Sequence, residues 1–375
     1  MNSKRRVHFL DHNSGMPVDP RVLERFLEIE RDCPANPGGL HTAGRRSRAV
    51  LEDARRQVAE SLGCSPDGVF FLSGATESNN LCVHGLGDPD LPILCGGIEH
   101  ASVDVPSRNR GRVLLQNDDQ ARLIAAPPGQ PVGALTAVHA QSEVGTIQPI
   151  AELGALARTL GVPFHVDAAQ SLGRLPLDEV VANADTIALS GHKSGGLRGA
   201  SALIVRDPSM RPRPLLVGGA QEGGLRPGTT SPSLAAATAL ACELGVREQA
   251  DRAERMRAAR DAFDRVLAEA REGRRLTPAD SLPNTSMWHF PVPDGRALLL
   301  ALDLAGVQAS QGSACTTGTP APPAVLTALG FEAEDARRCV RFSFGTDQSV
   351  EDGIDAGQRV IDVLKRSLVR NTERA

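Results

Sequence analysis

Six short apolar runs punctuate the first two-thirds of the chain: GVFFLS (68–73), PILCGG (92–97), GALTAVHA (133–140), VPFHVDAA (162–169), TIALSG (186–191) and ASALIV (200–205). Between several of them the apolar spacing changes to that of a helix. In PIAELGALARTLG (149–161), Ile150, Leu153, Leu156, Ala157 and Leu160 fall on one face. Strands alternating with helices predict an α/β fold, with a mostly parallel sheet flanked by helices on both sides. Ligands of such sheets bind beyond the carboxyl ends of the strands.

Polar residues gather at those predicted strand ends. Ser73 to Asn80 follow one strand, Glu99 and His100 a second, and Gln141 to Glu143 a third. Asp167 to Gln170 close a fourth, and Ser190 to Lys193 a fifth. Beyond them lies a Gly/Pro-rich loop, GGAQEGGLRPGTTSPS (218–233), then a charged helical stretch over 248–275. A further α/β pattern fills 276–375, with TSMWHF and CVRFSFG as strands, and the segment 1–15 is expected to pack with it. The expected division is a large domain at 16–250 and a smaller α/β domain made of 1–15 and 251–375.

Composition narrows the function classes. A formal net charge of −4 gives no reason for general affinity toward nucleic acid or membrane. The amino terminus, MNSKRRVHFL, is basic but lacks a leader's apolar core, and no run approaches the ~20 apolar residues of a membrane span. The seven cysteines are odd in number, scattered and without a CxxC pair. That pattern points to the reducing cytoplasm and away from a disulfide framework or structural zinc. Tyrosine is absent and there is one tryptophan, so stacking on a flat ligand falls to Phe, His or that Trp.

Each motif taken alone has an ordinary alternative. LSGATESNN (72–80) runs from a strand through glycine into a helix, and its free N–H groups with the Thr76 hydroxyl suit a phosphate. It could equally be a plain capped turn. FHVDAAQS (164–171) puts Asp167 at the end of a buried strand, where a carboxylate needs a cation or hydrogen bonds; it could also simply cap the next helix. His100 in GIEHAS is a core histidine or a flat stacking group. ALSGHKSGG (188–196) sets Lys193 at the mouth of a strand beside Ser190 and His192, and an isolated lysine there is ordinarily a solvated one. Together, however, a phosphate cradle, a strand-end Asp and a strand-end Lys are the parts that hold pyridoxal 5'-phosphate (PLP). The lysine forms a Schiff base and the Asp keeps the ring nitrogen protonated. No GxxxxGK[ST] or strand-linked GxGxxG competes for the phosphate.

With these pieces in place, the chain resembles the cysteine desulfurases, in the class V aminotransferase group of fold-type-I PLP enzymes. The resemblance runs from FLDHNSGMPVDPRV (9–22) to CVRFSFG (339–345), through SGATESNN, EHASV, HVDAAQSLGRLPLD, SGHKSGG and QGSACTTG. It implies that Lys193 anchors the cofactor, Asp167 pairs with its ring nitrogen, Gln170 contacts its phenolic oxygen, and His100 stacks on it and moves protons. Ala75, Thr76, Ser190 and His192 would hold the phosphate, and Thr229 would reach it from a second subunit of a homodimer. Arg341, with Asn36, would bind the substrate carboxylate, and Cys315 would attack the substrate sulfur.

Several positions depart from the family. Its D-x-x-A-T-T reads Asp11-His12-Asn13-Ser14-Gly15-Met16, and its N-P-x-S-x-H reads Asn36-Pro37-Gly38-Gly39-Leu40-His41. Its N-N-E-(I/T)-G reads Gln141-Ser142-Glu143-Val144-Gly145, so Ser142 replaces an Asn near the phenolic oxygen and substrate carboxylate. The shorter serine turns a direct contact into a water bridge or loses it.

The expected activity is L-cysteine to L-alanine, with a persulfide on Cys315 passed to a protein acceptor. Of the seven cysteines, Cys315 alone lies in a run of small residues, SQGSACTTGT (310–319), with little side chain to pack. The alternatives are another PLP reaction on this scaffold (a C–S lyase, selenocysteine lyase or aminotransferase) and a weakly active partner in a sulfur-transfer assembly.

Overall fold

A computed structural model describes residues 6–312 and 322–372, the last helix beyond residue 366 by its backbone alone. The six apolar runs form strands at Val69–Leu72, Ile93–Gly96, Ala134–Val138, Phe164–Asp167, Thr186–Ala188 and Ser201–Val205. A seventh, Arg112–Leu115, joins them at the sheet edge. The spatial order, by first residue, is 69, 201, 186, 164, 134, 93, 112. Only Ser201–Val205 runs against its neighbours; the other six strands share one direction. The carboxyl ends after Leu72, Gly96, Val138, Asp167 and Ala188 therefore open onto one rim.

The helix expected over 149–161 spans Ile150–Leu160 and buries Ile150, Leu153, Leu156 and Ala157. It stops at Gly161, whose φ of 67° is a left-handed conformation that glycine adopts without a Cβ penalty. Two elements escape the sequence pattern. The edge strand Arg112–Leu115 offers only three apolar residues, Val113 to Leu115, and buries just the last of them. The helix Pro232–Arg247 is alanine-rich and buried almost all round, leaving no polar face to set a period.

The charged stretch 248–275 is helical only over Gln249–Ala270; Arg271 turns left-handed at φ 56°. Arg274–Arg275 then joins the antiparallel sheet of Thr285–His289 and Cys339–Ser343. Phe263, Phe290, Phe342 and Phe344, each completely buried, centre a second apolar cluster. Burying a side chain of this size favours folding by roughly 1.5–3 kcal/mol. The amino-terminal segment belongs to this cluster through Leu10, and His8–Phe9 pairs with Val307–Gln308 in parallel. Past Leu10 the chain crosses toward the main sheet. Asn13 donates from Nδ2 to Ser142 O (2.9 Å) and Thr285 Oγ1 (2.8 Å), and accepts from Asn284 Nδ2 (2.9 Å). This crossing stitches the second cluster to the rim of the first.

Candidate active site

A cleft of about 610 Å³ lies on that rim. The five polar strand ends converge in it, which places Ala75, Thr76, His100, Ser142, Asp167, Gln170, Ser190, His192, Lys193 and Arg341 along one wall-to-wall lining. Asn36 and Thr229 lie outside this cleft in the same chain and meet each other, Asn36 Nδ2 donating to Thr229 Oγ1 at 3.4 Å. Cys315 lies outside the described residues, but Ser310 and Gly312 on its amino side line the cleft.

Lys193 ends a short 3-10 turn, Gly191–Lys193. This turn packs tightly on the reversed strand: a Cβ at Gly191 would stand 2.9 Å from Ala200 O. The lysine is half-buried and its ammonium has no hydrogen-bond or ion-pair partner among the described residues. Desolvation lowers its pKa to about 8; Arg174 and Arg341 push the same way, while Asp167 and Glu143 oppose them. An amine that sheds its proton near neutral pH is a competent nucleophile and base.

Asp167 ends the strand Phe164–Asp167 with its side chain in the cleft, 3% exposed and without a cation within 4 Å among the described residues. Its Oδ2 accepts from Asn79 Nδ2 at 2.7 Å, and its Oδ1 from the Ala169 N–H at 3.0 Å. Asn79 is fully buried and anchors a longer chain of hydrogen bonds. Its Oδ1 faces His165 Nε2 at 3.0 Å, while His165 Nδ1 faces Thr186 Oγ1 at 2.8 Å. Since an amide oxygen only accepts, His165 carries its proton on Nε2 and takes the Thr186 hydroxyl proton at Nδ1. Burial holds this histidine neutral, with its pKa down at about 4.

Asn79 Nδ2 also donates to Ser102 Oγ (2.8 Å), which lies 2.8 Å from His100 Nδ1. The same Nδ1 accepts the Ser102 N–H at 3.1 Å, where His100 caps the helix Ala101–Arg110. Neutral His100 therefore keeps its proton on Nε2. Beneath this row, the Glu99 carboxyl is buried with neither oxygen well hydrogen-bonded; burial and nearby Asp167 hold its pKa well above the usual carboxylate range.

At one end of the cleft, the helix Ala75–Gly85 begins after Gly74 with no side-chain cap. The N–H groups of Ala75 and Thr76 have no acceptor of their own. Ser73, also in the cleft lining, donates to Glu77 from both N–H and hydroxyl, each at 2.7 Å. Ser190 Oγ and His192 Nδ1 face each other at 3.3 Å beside this opening. Such a set of unfilled donors suits an anion.

At the other end, Arg341 is buried, 3% exposed. It donates to Asp11 Oδ1 (2.6 Å), Ser14 Oγ (3.0 Å) and Ser142 O (3.1 Å), leaving Nε unpaired. Ser14 stands where the family motif has alanine, so one amino-terminal departure touches this arginine directly. The Ser142 hydroxyl does not point at Arg341; it donates to Glu143 Oε2 at 2.8 Å. Asn13, Asn79, Glu143 and Arg174 were not among the expected site residues. Asn79 and Arg174 lie inside motifs already read, SGATESNN and HVDAAQSLGRLPLD, and a buried amide or guanidinium there was the available signal.

Fold and cleft together define a class. The class-V aminotransferase family matches residues 8–356, and the chain belongs to it. Within that class it belongs to the cysteine desulfurase family. It is 34% identical to an IscS-like cysteine desulfurase of Mycobacterium tuberculosis, over 94% of this chain and 95% of that relative. A solved NifS-like protein superposes with a TM-score of 0.88 at 27% identity, covering 96% of this chain and all of the other. SspA, solved in complex with cysteine, gives 0.77 at 30% identity over 90% of this chain and 99% of its own. Among the described residues no helix is long and apolar enough to cross a membrane, and no cluster of His, Cys, Asp and Glu could hold a metal.

Proposed function

We propose that the chain is a PLP-dependent cysteine desulfurase acting on L-cysteine. The observation that carries this reading is an unpartnered, partly deprotonated Lys193 sharing one cleft with a carboxylate, Asp167, that has hydrogen bonds but no cation. The residues fit the cofactor. Among the described residues, Asp167 has hydrogen bonds but no cation, the Ala75 and Thr76 N–H groups have no acceptor, and the Lys193 ammonium has no partner. Bound there, PLP supplies an aldehyde that accepts an amine and a ring that accepts electrons.

Asn79 and the Ala169 N–H would orient the Asp167 carboxylate toward the ring nitrogen, whose proton it would hold. Ala75, Thr76, Ser190 and His192 would bind the phosphate, and Gln170 and Ser142 would flank the ring oxygen. Arg341 would grip the substrate carboxylate. Neutral Lys193 would take the proton from the substrate Cα, and His100 would stack and exchange a proton through Nε2. The Cys315 thiolate would attack the substrate sulfur: the Cβ–S bond breaks, an S–S bond forms, and protonation at Cβ completes alanine. Thr229 and Asn36, which lie outside their own chain's cleft, would serve the neighbouring cleft of a homodimer. The persulfide would pass to a protein acceptor in the reducing cytoplasm; the six described cysteines are all unpaired, which supports that compartment. The chain is read as two domains, 16–250 and 1–15 with 251–375.

The test is to incubate the pure protein with L-cysteine and identify products and protein-bound sulfur by mass spectrometry. Alanine with a persulfide on Cys315 is expected. Pyruvate or a transferred amine without persulfide would replace this reading with a lyase or an aminotransferase.

A further inference from the structure

Arg174 is among the largest fully buried side chains in the molecule, 1% exposed, yet it does not line the cleft. No carboxylate lies within 4 Å of it among the described residues. Its acceptors are all neutral: Gln170 O (3.1 Å), His12 O (3.1 Å) and the side-chain Oε1 of Gln170, while its Nε has none. Burial and Arg341 push its pKa down, but a guanidinium stays charged in a protein. A buried cation without a counter-charge is costly. Something in the working protein should use it.

Gln170 is what it touches, and Gln170 lines the cleft. The Gln170 amide has one orientation that satisfies both neighbours. Its Oε1 accepts from Arg174, and its Nε2 donates to Asn13 O at 3.0 Å. Turned over, it would set an NH₂ against a guanidinium and an oxygen against a carbonyl. One N–H of Nε2 then remains uncommitted. Through His12 O and Asn13 O the same pair holds the crossing segment from which Asp11 and Ser14 meet Arg341.

We propose that Arg174 is a positioning residue acting through Gln170: it keeps one Gln170 N–H available to the oxygen substituent of a ring bound on Asp167, and its buried charge favours the anionic form of that oxygen. This rests on the PLP reading above. The charged groups acting on Lys193, the nitrogen nearest that chemistry, are Asp167 and Glu143 on one side of the balance and Arg174 and Arg341 on the other; His192 is the adjacent titratable neighbour.

The experiment reconstitutes wild type, Arg174→Met, Arg174→Lys, Gln170→Leu and the Met/Leu double variant with PLP, and titrates the visible band with pH in the absence of substrate. Removing the positive charge, or the N–H it holds in place, favours the protonated chromophore. The midpoint should therefore rise by about one pH unit in Arg174→Met and in Gln170→Leu. Because the two act as one unit, the double variant should move no further than the larger single shift. Arg174→Lys keeps the charge but cannot bridge both oxygens, so its midpoint should rise by less. A band present with an unmoved midpoint in Arg174→Met, or fully additive shifts, overturns the proposal. If the methionine variant does not fold, an unmoved midpoint in Arg174→Lys does the same. Absence of any visible band in wild type would instead refute the PLP reading.

Discussion

Raising the pH of the cofactor-free protein should unmask Lys193 well before an exposed lysine. The chain has only three lysines, Lys4, Lys193 and Lys365, so a modified peptide is assigned to Lys193 without ambiguity. A lysine at the ordinary 10.5 is neutral in only ~0.03% of molecules at pH 7, whereas one at about 8 is neutral in about one in ten, a gain of roughly 300-fold. The cause is burial in the cleft wall, reinforced by Arg174 and Arg341. An arylating reagent that does not itself titrate between pH 6 and 10 reads this directly, with the rate at each lysine followed by peptide mass spectrometry. The Lys193 rate should climb tenfold per pH unit at first and flatten near pH 8, where a lysine at the ordinary 10.5 would climb on. Asp167→Asn removes a charge that favours the ammonium, so its bend should fall at lower pH. A Lys193 rate that still climbs tenfold per pH unit through pH 9 would refute the argument.

Three further outcomes are expected. Cys315→Ala should bind PLP and take up cysteine with the wild-type spectral change, yet release no alanine and carry no persulfide; wild-type turnover would transfer the activity to the lyase class. Ser142→Asn should lower the KM for cysteine by about 10-fold, the low end of one hydrogen bond to a charged group at ~1.5–3 kcal/mol; an unchanged or higher KM would mean a pocket shaped for another substrate. Glu222→Ala should cost about 1–3 kcal/mol in urea unfolding, because it leaves the buried Phe71 N–H, now held at 2.9 Å, without its acceptor and takes two 3.1 Å bonds from Arg55, which keeps Glu52 and Val69 O as partners. A loss below ~1 kcal/mol would show that water reaches the Phe71 N–H.

Where a strand is buried on both faces, as in Ala134–Val138, the sequence shows an uninterrupted apolar run and the element is legible. The same logic hides Arg112–Leu115, whose outer face meets water. The strand-end placement of Lys193, Asp167 and His100 was legible because each lies at the end of an apolar run or a few residues beyond it. Asn79 was not, although it directly holds Asp167. An asparagine inside a helix is usually solvated, and only the third dimension turns this one inward between His165 and Ser102. Arg174 escaped for a related reason: two of its three acceptors are main-chain oxygens, of His12 and Gln170, and a main-chain acceptor carries no residue identity to read.

Ser310 and Arg341 exchange backbone hydrogen bonds of 3.1 and 2.6 Å across an isolated bridge. The chain is thus fastened beside Arg341, only five residues before Cys315. Gly312 follows at φ 103°, tied to the Ser310 hydroxyl, and lines the cleft. From Gly312 to Cys315 there are three residue steps, which span at most about 10–11 Å however the chain runs. On the proposed function, the sulfur carried by Cys315 would therefore be handed over close to the cleft rim, and an acceptor would have to bring its own thiol to the mouth of the site. Inserting residues between Gly312 and Cys315 would widen that radius without altering the residues that line the cleft.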